Sequence, residues 1–245
     1  MNTKIYVPII CYNHNVLVHY MFSIMKLMDE ASKNGVSIIF DCIYFDSLIA
    51  RARNAAVAGF LNHKDATHLL FIDTDISFRS EDVIKLIKKN KEVVCGVYPK
   101  KYISEQKLLS LIKANNTLPN NYEALCTDFT SEIIGDGENI DYAATGFMLI
   151  KKSAFLKIKE KFPNIKYKND INAYAQYGDN FYNFFPCDVN PQNSKYESED
   201  YGFSRLWRET GGKIYVEKNC ELVHYGWKGY IGNLASQLKI FNINR

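Results

Sequence analysis

No apolar run in this chain approaches the ~20 residues needed to cross a bilayer. The opening segment MNTKIYVPIICYNHN has only a short apolar stretch and no small-residue cleavage site, so it reads as a first strand rather than a signal peptide. With neither anchor nor leader, the expectation is a soluble, cytoplasmic protein with no transmembrane segment. A strong charge of one sign is also missing. The 30 Lys and Arg against 27 Asp and Glu leave a formal net charge of +3, too small and too dispersed to argue for a nucleic-acid partner. The six cysteines (Cys11, Cys42, Cys95, Cys126, Cys187, Cys220) form no CxxC pair. A chain of this length needs no disulfide framework, so a reduced environment is expected. Neither GxGxxG nor GxxxxGK[ST] occurs, which removes the dinucleotide-fingerprint and P-loop readings. Without an internal repeat or a linker, residues 1–245 read as one domain.

The first hundred residues alternate strand and helix signals. KIYVPII (4–10) reads as a strand, and apolar groups at helical spacing (Val16, Tyr20, Ile24, Leu27, Met28) end at Gly35. VSIIFDCIYF (36–45) is β-branched and aromatic, LIARARNAAVAGFL (48–61) is an Ala-rich helix, and HLLFID is a third strand. Ser80 then caps a helix with Glu81 and Asp82 in its first turn, and EVVCGVY (92–98) is a fourth strand. This alternation predicts an α/β fold with a mostly parallel central sheet flanked by helices, its ligand lying beyond the carboxyl ends of the strands. The second half is less regular. Residues 99–135 are polar and ambiguous, 140–155 run from strand into helix, and 162–196 are aromatic-rich without a helical period. SEDYGFSRLWRETGG (198–212) reads as a helix, followed by the short strands KIYVE and CELVHYG and a last helix over 232–241.

The stretch HLLFIDTDISF is an apolar run that breaks into two aspartates one residue apart. In an extended segment residues i and i+2 project to the same side, so Asp73 and Asp75 are expected to converge on one volume. Two like charges that close need a cation or a shared proton, and a hard divalent ion with oxygen ligands answers that need. The plainer alternative is a pair of solvated turn aspartates.

FIDTDISF resembles the DxD motif of GT-A glycosyltransferases, in which two acids hold Mn²⁺ or Mg²⁺ against the diphosphate of a nucleotide-sugar donor. SLIARARNAAVAGFL lies where that family often places an Arg contacting the donor, and ATGFMLIKKSAF is similar to its small-residue segment on the acceptor side. ESEDYGFSRLWRETGGKIYV followed by ELVHYG resembles its acidic helix start and its late His near the metal. The likeness covers residues 4–226, poorly over 99–135.

The resemblance implies a GT-A (Rossmann-like) mostly parallel sheet with a smaller irregular acceptor-side region. Residues 1–98 would form the nucleotide-sugar-binding half and 99–245 the acceptor-side half. It implies transfer of a sugar from a nucleotide-sugar donor, a UDP-sugar first of all, to a hydroxyl of a glycan, protein or lipid-linked acceptor. The implied metal ligands are Asp73, Asp75 and His224. The implied donor-binding residues are Pro8, Tyr12, Asp46, Ser47, Arg53, Asp73 and Thr74, although the Thr74 side chain points away. Thr145 and Gly146 fall on the acceptor side. In inverting members, slightly favoured over retaining ones, a carboxylate at the acidic helix start takes the proton from the acceptor hydroxyl. Asp200 is the first choice for that base, with Glu199 beside it.

Each residue has a plainer reading. Arg51 and Arg53 suit surface helix charges, His224 a satisfied strand residue, and Glu199 and Asp200 the favourable end of a helix dipole. The aromatic residues Tyr174, Tyr177, Phe181, Tyr182, Phe184 and Phe185 fit a core layer and a sugar-stacking lid equally. Two rivals remain open. A haloacid-dehalogenase-type phosphatase would use Asp73 as its nucleophile, with Asp136 and Asp141 as later acids, although two strand–helix units precede Asp73 here. A non-catalytic sugar- or nucleotide-binding module would keep the fold alone.

Overall fold

The structure, a computed structural model, describes residues 3–131 and 138–240. Its elements run β1 (Lys4–Cys11), α1 (Val18–Lys33), β2 (Ser37–Tyr44), α2 (Ile49–Asn62), β3 (His68–Ile72), β4 (Ile76–Ser77), α3 (Ser80–Lys89), β5 (Val93–Cys95), α4 (Glu105–Asn115) and α5 (Tyr122–Cys126). They continue β6 (Asn139–Ile140), β7 (Phe147–Lys151), α6 (Lys152–Lys161), β8 (Asp188–Val189), β9 (Tyr196–Glu197), α7 (Glu199–Glu209), β10 (Ile214–Val216), β11 (Val223–Tyr225), β12 (Gly229–Ile231) and α8 (Leu234–Ile240). Short 3₁₀ turns at Pro163–Ile165 and Asn172–Tyr177 lie between α6 and β8.

Seven strands form the central sheet in the order β2-β1-β3-β7-β5-β10-β6. β2, β1, β3, β5 and β10 run one way, and β7 and β6 run against them. The expected mostly parallel sheet is present, a Rossmann-like arrangement with one departure at its centre. Because β7 is antiparallel to β3 and β5, its amino end lies at the same edge as their carboxyl ends.

Strand alternation divides the core between the two faces of the sheet. Ile5, Val7, Leu70, Ile72, Val94, Phe147 and Leu149 pack with Tyr20, Ile24 and Leu27 of α1 and Val83 and Leu86 of α3. Tyr6, Leu69, Phe71, Val93, Met148 and Ile150 face the other way, toward α2, α6 and α7. The Ala content of α2 has a packing reason: Ala52, Ala55, Ala56 and Ala58 are fully buried, pressed between the sheet and the aromatic segment that follows α6. At Gly59 an added Cβ would lie 2.4 Å from the Tyr6 hydroxyl oxygen.

That aromatic segment is core rather than lid. Tyr174, Tyr177, Phe181, Phe184 and Phe185 are buried, and Tyr182 packs half-buried against them. Phe185 stacks on Phe203 of α7 (ring centroids 4.9 Å apart) and meets Phe71 of β3 edge-on at 5.5 Å. Two further expectations change. Helix α3 begins at Ser80 with Arg79 as its cap, because the Asp82 carboxylate accepts from the Arg79 N–H at 3.3 Å. Residues 99–131, ambiguous in sequence, hold α4 and α5 around Leu111, Leu125 and Cys126.

Truncating Phe203 to Ala should therefore cost about 3–5 kcal/mol of stability, as for other fully buried Phe side chains, read as a lower urea midpoint. Tyr196→Ala, at a side chain 74% exposed, should stay within about 0.5 kcal/mol.

Candidate functional site

β3 ends at Ile72 and the chain turns at once, with the Ile76 N–H donating to the Asp73 carbonyl at 3.0 Å. The i, i+2 rule for extended chain consequently fails over residues 73–75, and the two carboxylates take different partners. Asp73 turns toward α2 and Asp75 toward the hairpin of β11 and β12.

Arg53 lies on the inward face of α2, 4% exposed, with its guanidinium carbon 5.2 Å from the Phe71 ring centroid. One amino group donates to Asp73 Oδ1 at 3.0 Å, and its Nε donates to Glu199 Oε1 at 3.3 Å. Burial disfavours the charged form, yet Asp73 and Glu199 together raise the Arg53 pKa. Arg53 is thus no surface charge. It clamps the end of β3 to the start of α7. The neighbouring Arg51 makes a separate pair, both of its donors at 2.9 Å from Asp46. Asp46 also accepts from the Tyr174 hydroxyl at 2.7 Å and the Leu48 N–H at 2.9 Å. Burial works against its ionisation, but these hydrogen bonds hold its carboxyl below the usual range.

On the other side, Asp75 Oδ2 receives the Lys101 ammonium at 2.6 Å and faces His224 Nε2 at 3.4 Å. Burial again opposes its ionisation, and His224 and Lys101 more than compensate, bringing its pKa down to about 2. His224 Nδ1 is 2.9 Å from the Pro99 carbonyl oxygen. A carbonyl only accepts, so Nδ1 carries the proton and donates, which leaves Nε2 directed at the Asp75 oxygen. Backbone pairing fixes the arrangement, because His224 registers opposite Ile76 and the Tyr225 N–H donates to the Asp75 carbonyl at 2.8 Å.

The antiparallel entry of β7 places Thr145 and Gly146 at this edge. The Asp73 N–H donates to the Gly146 carbonyl at 2.9 Å. A Cβ at Gly146 would come within 2.4 Å of the Tyr98 hydroxyl oxygen and 2.7 Å of Asp73 Oδ2, so only glycine admits both groups. Thr145 Oγ1 and the Tyr20 hydroxyl oxygen are buried without a hydrogen-bond partner. Tyr98 is buried, and burial followed by the Asp73 charge pushes its pKa up. At the start of α7, Asp200 bonds the Ser198 hydroxyl and accepts from the Tyr201 N–H at 2.9 Å. Burial, reinforced by the charge of Glu199, raises its pKa against the Ser198 hydrogen bond.

The structure thus brings Arg53, Asp73, Asp75, Thr145, Gly146, Glu199, Asp200 and His224 to one edge of the sheet. Thr74 sits there too, accepting at its carbonyl from the Leu17 N–H at 3.4 Å. Tyr12 and Ser47 are exposed just past β1 and β2. Pro8 is buried in the middle of β1, registered with Asp41 and away from that edge. Among the described residues no three His, Cys, Asp or Glu side chains form a ready metal centre, so Asp73, Asp75 and His224 are not gathered as one set. Of the acids in the phosphatase reading, Asp136 lies outside the described residues and Asp141 pairs with Arg208 at 3.1 Å. Sequence reasoning missed Tyr98 and Lys101. They lie three and six residues past the end of β5, on the boundary of the stretch with the weakest pattern.

No protein-family model matches the chain, and no curated protein does either. Among solved structures it is similar to A197 from STIV (16% identity, TM-score 0.47, 95% of each chain). It is also similar to 4-diphosphocytidyl-2C-methyl-D-erythritol synthase from Anaerococcus prevotii (10% identity, TM-score 0.41, 99% of this chain and 95% of that one). A third is HddC from Yersinia pseudotuberculosis (10% identity, TM-score 0.39, 91% and 93%). At these identities and scores the likeness assigns neither activity nor substrate to this chain. No helix among the described residues is long and apolar enough to cross a membrane.

Removing the clamp tests its weight. Arg53→Ala leaves Asp73 and Glu199 without their shared cation and should destabilise by about 3 kcal/mol, the low end for breaking a buried ion pair. Urea unfolding reads the effect, and a loss under 1 kcal/mol would show the guanidinium to be dispensable.

Proposed function

We propose that the chain is a metal-dependent glycosyltransferase that moves a sugar from a nucleotide-sugar donor, a UDP-sugar first of all, to a hydroxyl acceptor. The observation that carries this reading is the trio of Asp75, His224 and Lys101 at the carboxyl edge of the sheet. With Nδ1 committed to the Pro99 carbonyl, His224 directs Nε2 at Asp75 Oδ2, 3.4 Å away, and an imidazole nitrogen and a carboxylate oxygen so placed can share a positive centre between or beside them. Lys101 is one such centre. A divalent cation held by Asp75 and His224 is another, and an imidazole ligand suits Mn²⁺ better than Mg²⁺. The donor set therefore fits, with water and donor oxygens left to complete it. Bound there, the ion would neutralise charge on the departing diphosphate.

The remaining groups do the work that belongs to the chain. Arg53 holds Asp73 and Glu199 in place and gives Asp73 a fixed direction toward the donor. Gly146 leaves room for the Asp73 carboxylate and the Tyr98 hydroxyl to approach each other, and Thr145 offers a buried hydroxyl without a hydrogen-bond partner. Asp200 takes the proton from the acceptor hydroxyl as it attacks the anomeric carbon, the step of an inverting transfer. Glu199 is less suited to that task because Arg53 already engages it.

Calorimetric titration with UDP should show binding that requires Mn²⁺ and is lost in Asp75→Ala; equal binding without metal would sink the donor assignment. A base must be ionised, and burial raises the Asp200 pKa. Transfer should therefore fall on acidification through a value above the ordinary ~3.9 of Asp. Asp200→Asn should lower transfer about 10²–10⁴-fold and remove that acid limb with UDP affinity unchanged; an unaltered pH profile would move the base elsewhere.

A further inference from the structure

Two tryptophans occur in this chain, in opposite settings. Trp207 is buried in the core, its Nε1–H donating to the Lys213 carbonyl at 3.0 Å. Trp227 is fully exposed at the tip of the turn between β11 and β12. A large ring left in water forgoes the favourable free energy of burial, so its surroundings matter. The turn is well formed: the Gly226 N–H donates to the Lys228 carbonyl at 2.9 Å. Lys228 pairs with Glu123 at 2.6 Å and lies over the Tyr230 ring. The same hairpin supplies His224, three positions before Trp227. Gly226 passes close beneath Lys101, where an added Cβ would sit 3.2 Å from Lys101 Cδ. Lys101 in turn reaches Asp75. Lys101, Gly226, Trp227 and Tyr230 line one open cleft of about 500 Å³.

We propose that Trp227 is the platform on which a sugar ring of the acceptor stacks, with Tyr230 beside it and the Asp75–His224 edge at the end of the cleft. This rests on the glycosyltransferase reading and names its acceptor class as carbohydrate. Pyranose rings present an apolar C–H face that covers an aromatic surface while their hydroxyls remain available to polar groups. A membrane-inserting tip would instead carry unpaired cations beside the Trp, whereas Lys228 is neutralised by Glu123 and Lys101 by Asp75. The aromatic residues first suited to a stacking role, Tyr174 to Phe185, belong to the core, whereas Trp227 lies wholly in solvent on the hairpin that carries His224.

The contrast between the two tryptophans supplies the readout, since only Trp227 should be open to acrylamide quenching. In the full chain with UDP and Mn²⁺, at least one of lactose, maltose, chitobiose and mannobiose should protect the emission saturably. By calorimetry that disaccharide should bind Trp227→Ala about tenfold more weakly, matching the loss of one ring contact, while Trp227→Phe stays within about threefold. UDP binding is followed in the same samples. UDP binding without disaccharide protection overturns the platform alone, and absent UDP binding overturns the donor reading independently. Disaccharide affinity unchanged in Trp227→Ala, or a blue shift with phosphatidylglycerol vesicles and none with the sugars, also overturns the proposal.

Discussion

A guanidinium taken out of water costs several kcal/mol unless its donors are matched, and Arg53 is almost wholly enclosed. It stays charged because Asp73 and Glu199 meet it from two different parts of the chain. One ends β3 and the other opens α7, 126 positions further on. The helix carrying Arg53, the ring of Phe71 beneath it, and the Phe71, Phe185 and Phe203 contacts behind that ring all have to be in place for the two pairs to close. The polar site and the aromatic core are thus one construction, since loosening either exposes the other.

A single reversal of strand direction supplies the remaining geometry. Had β7 run with its neighbours, Thr145 and Gly146 would lie at the far edge of the sheet. Antiparallel between β3 and β5, it delivers a glycine carbonyl to the Asp73 N–H and leaves space for Tyr98. The small sheet of β12, β11 and β4 does the corresponding work for Asp75, because pairing across β4 brings His224 and its hairpin to that aspartate. Asp73 and Asp75, separated in sequence only by Thr74, thereby belong to two separate networks.

The strand–helix alternation of the first hundred residues was legible because period-2 and period-3.6 patterns are written in local apolar spacing. β1, α1, β2, α2 and β3 appear within a residue or two of the predicted bounds, and α7 begins after Ser198 as expected. Residues 99–131 were opaque since α4 and α5 bury only a small cluster and carry weak periodicity. The role of residues 174–185 was undecidable from sequence, because an aromatic side chain suits a core and a binding surface alike.

By itself the sequence determined the α/β class, the edge of the sheet at which its acids and histidine would lie, and the residues worth watching there. Tertiary structure alone decided how they pair. A tight turn rather than extended chain at 73–75 separates the two aspartates, a partner 146 positions away makes Arg53 interior, and Lys101 reaches Asp75 only because a distant hairpin packs beneath it. The reason is physical. Backbone preference and apolar spacing act over a few residues, whereas the partner of a charge is set by which elements the sheet brings together in space.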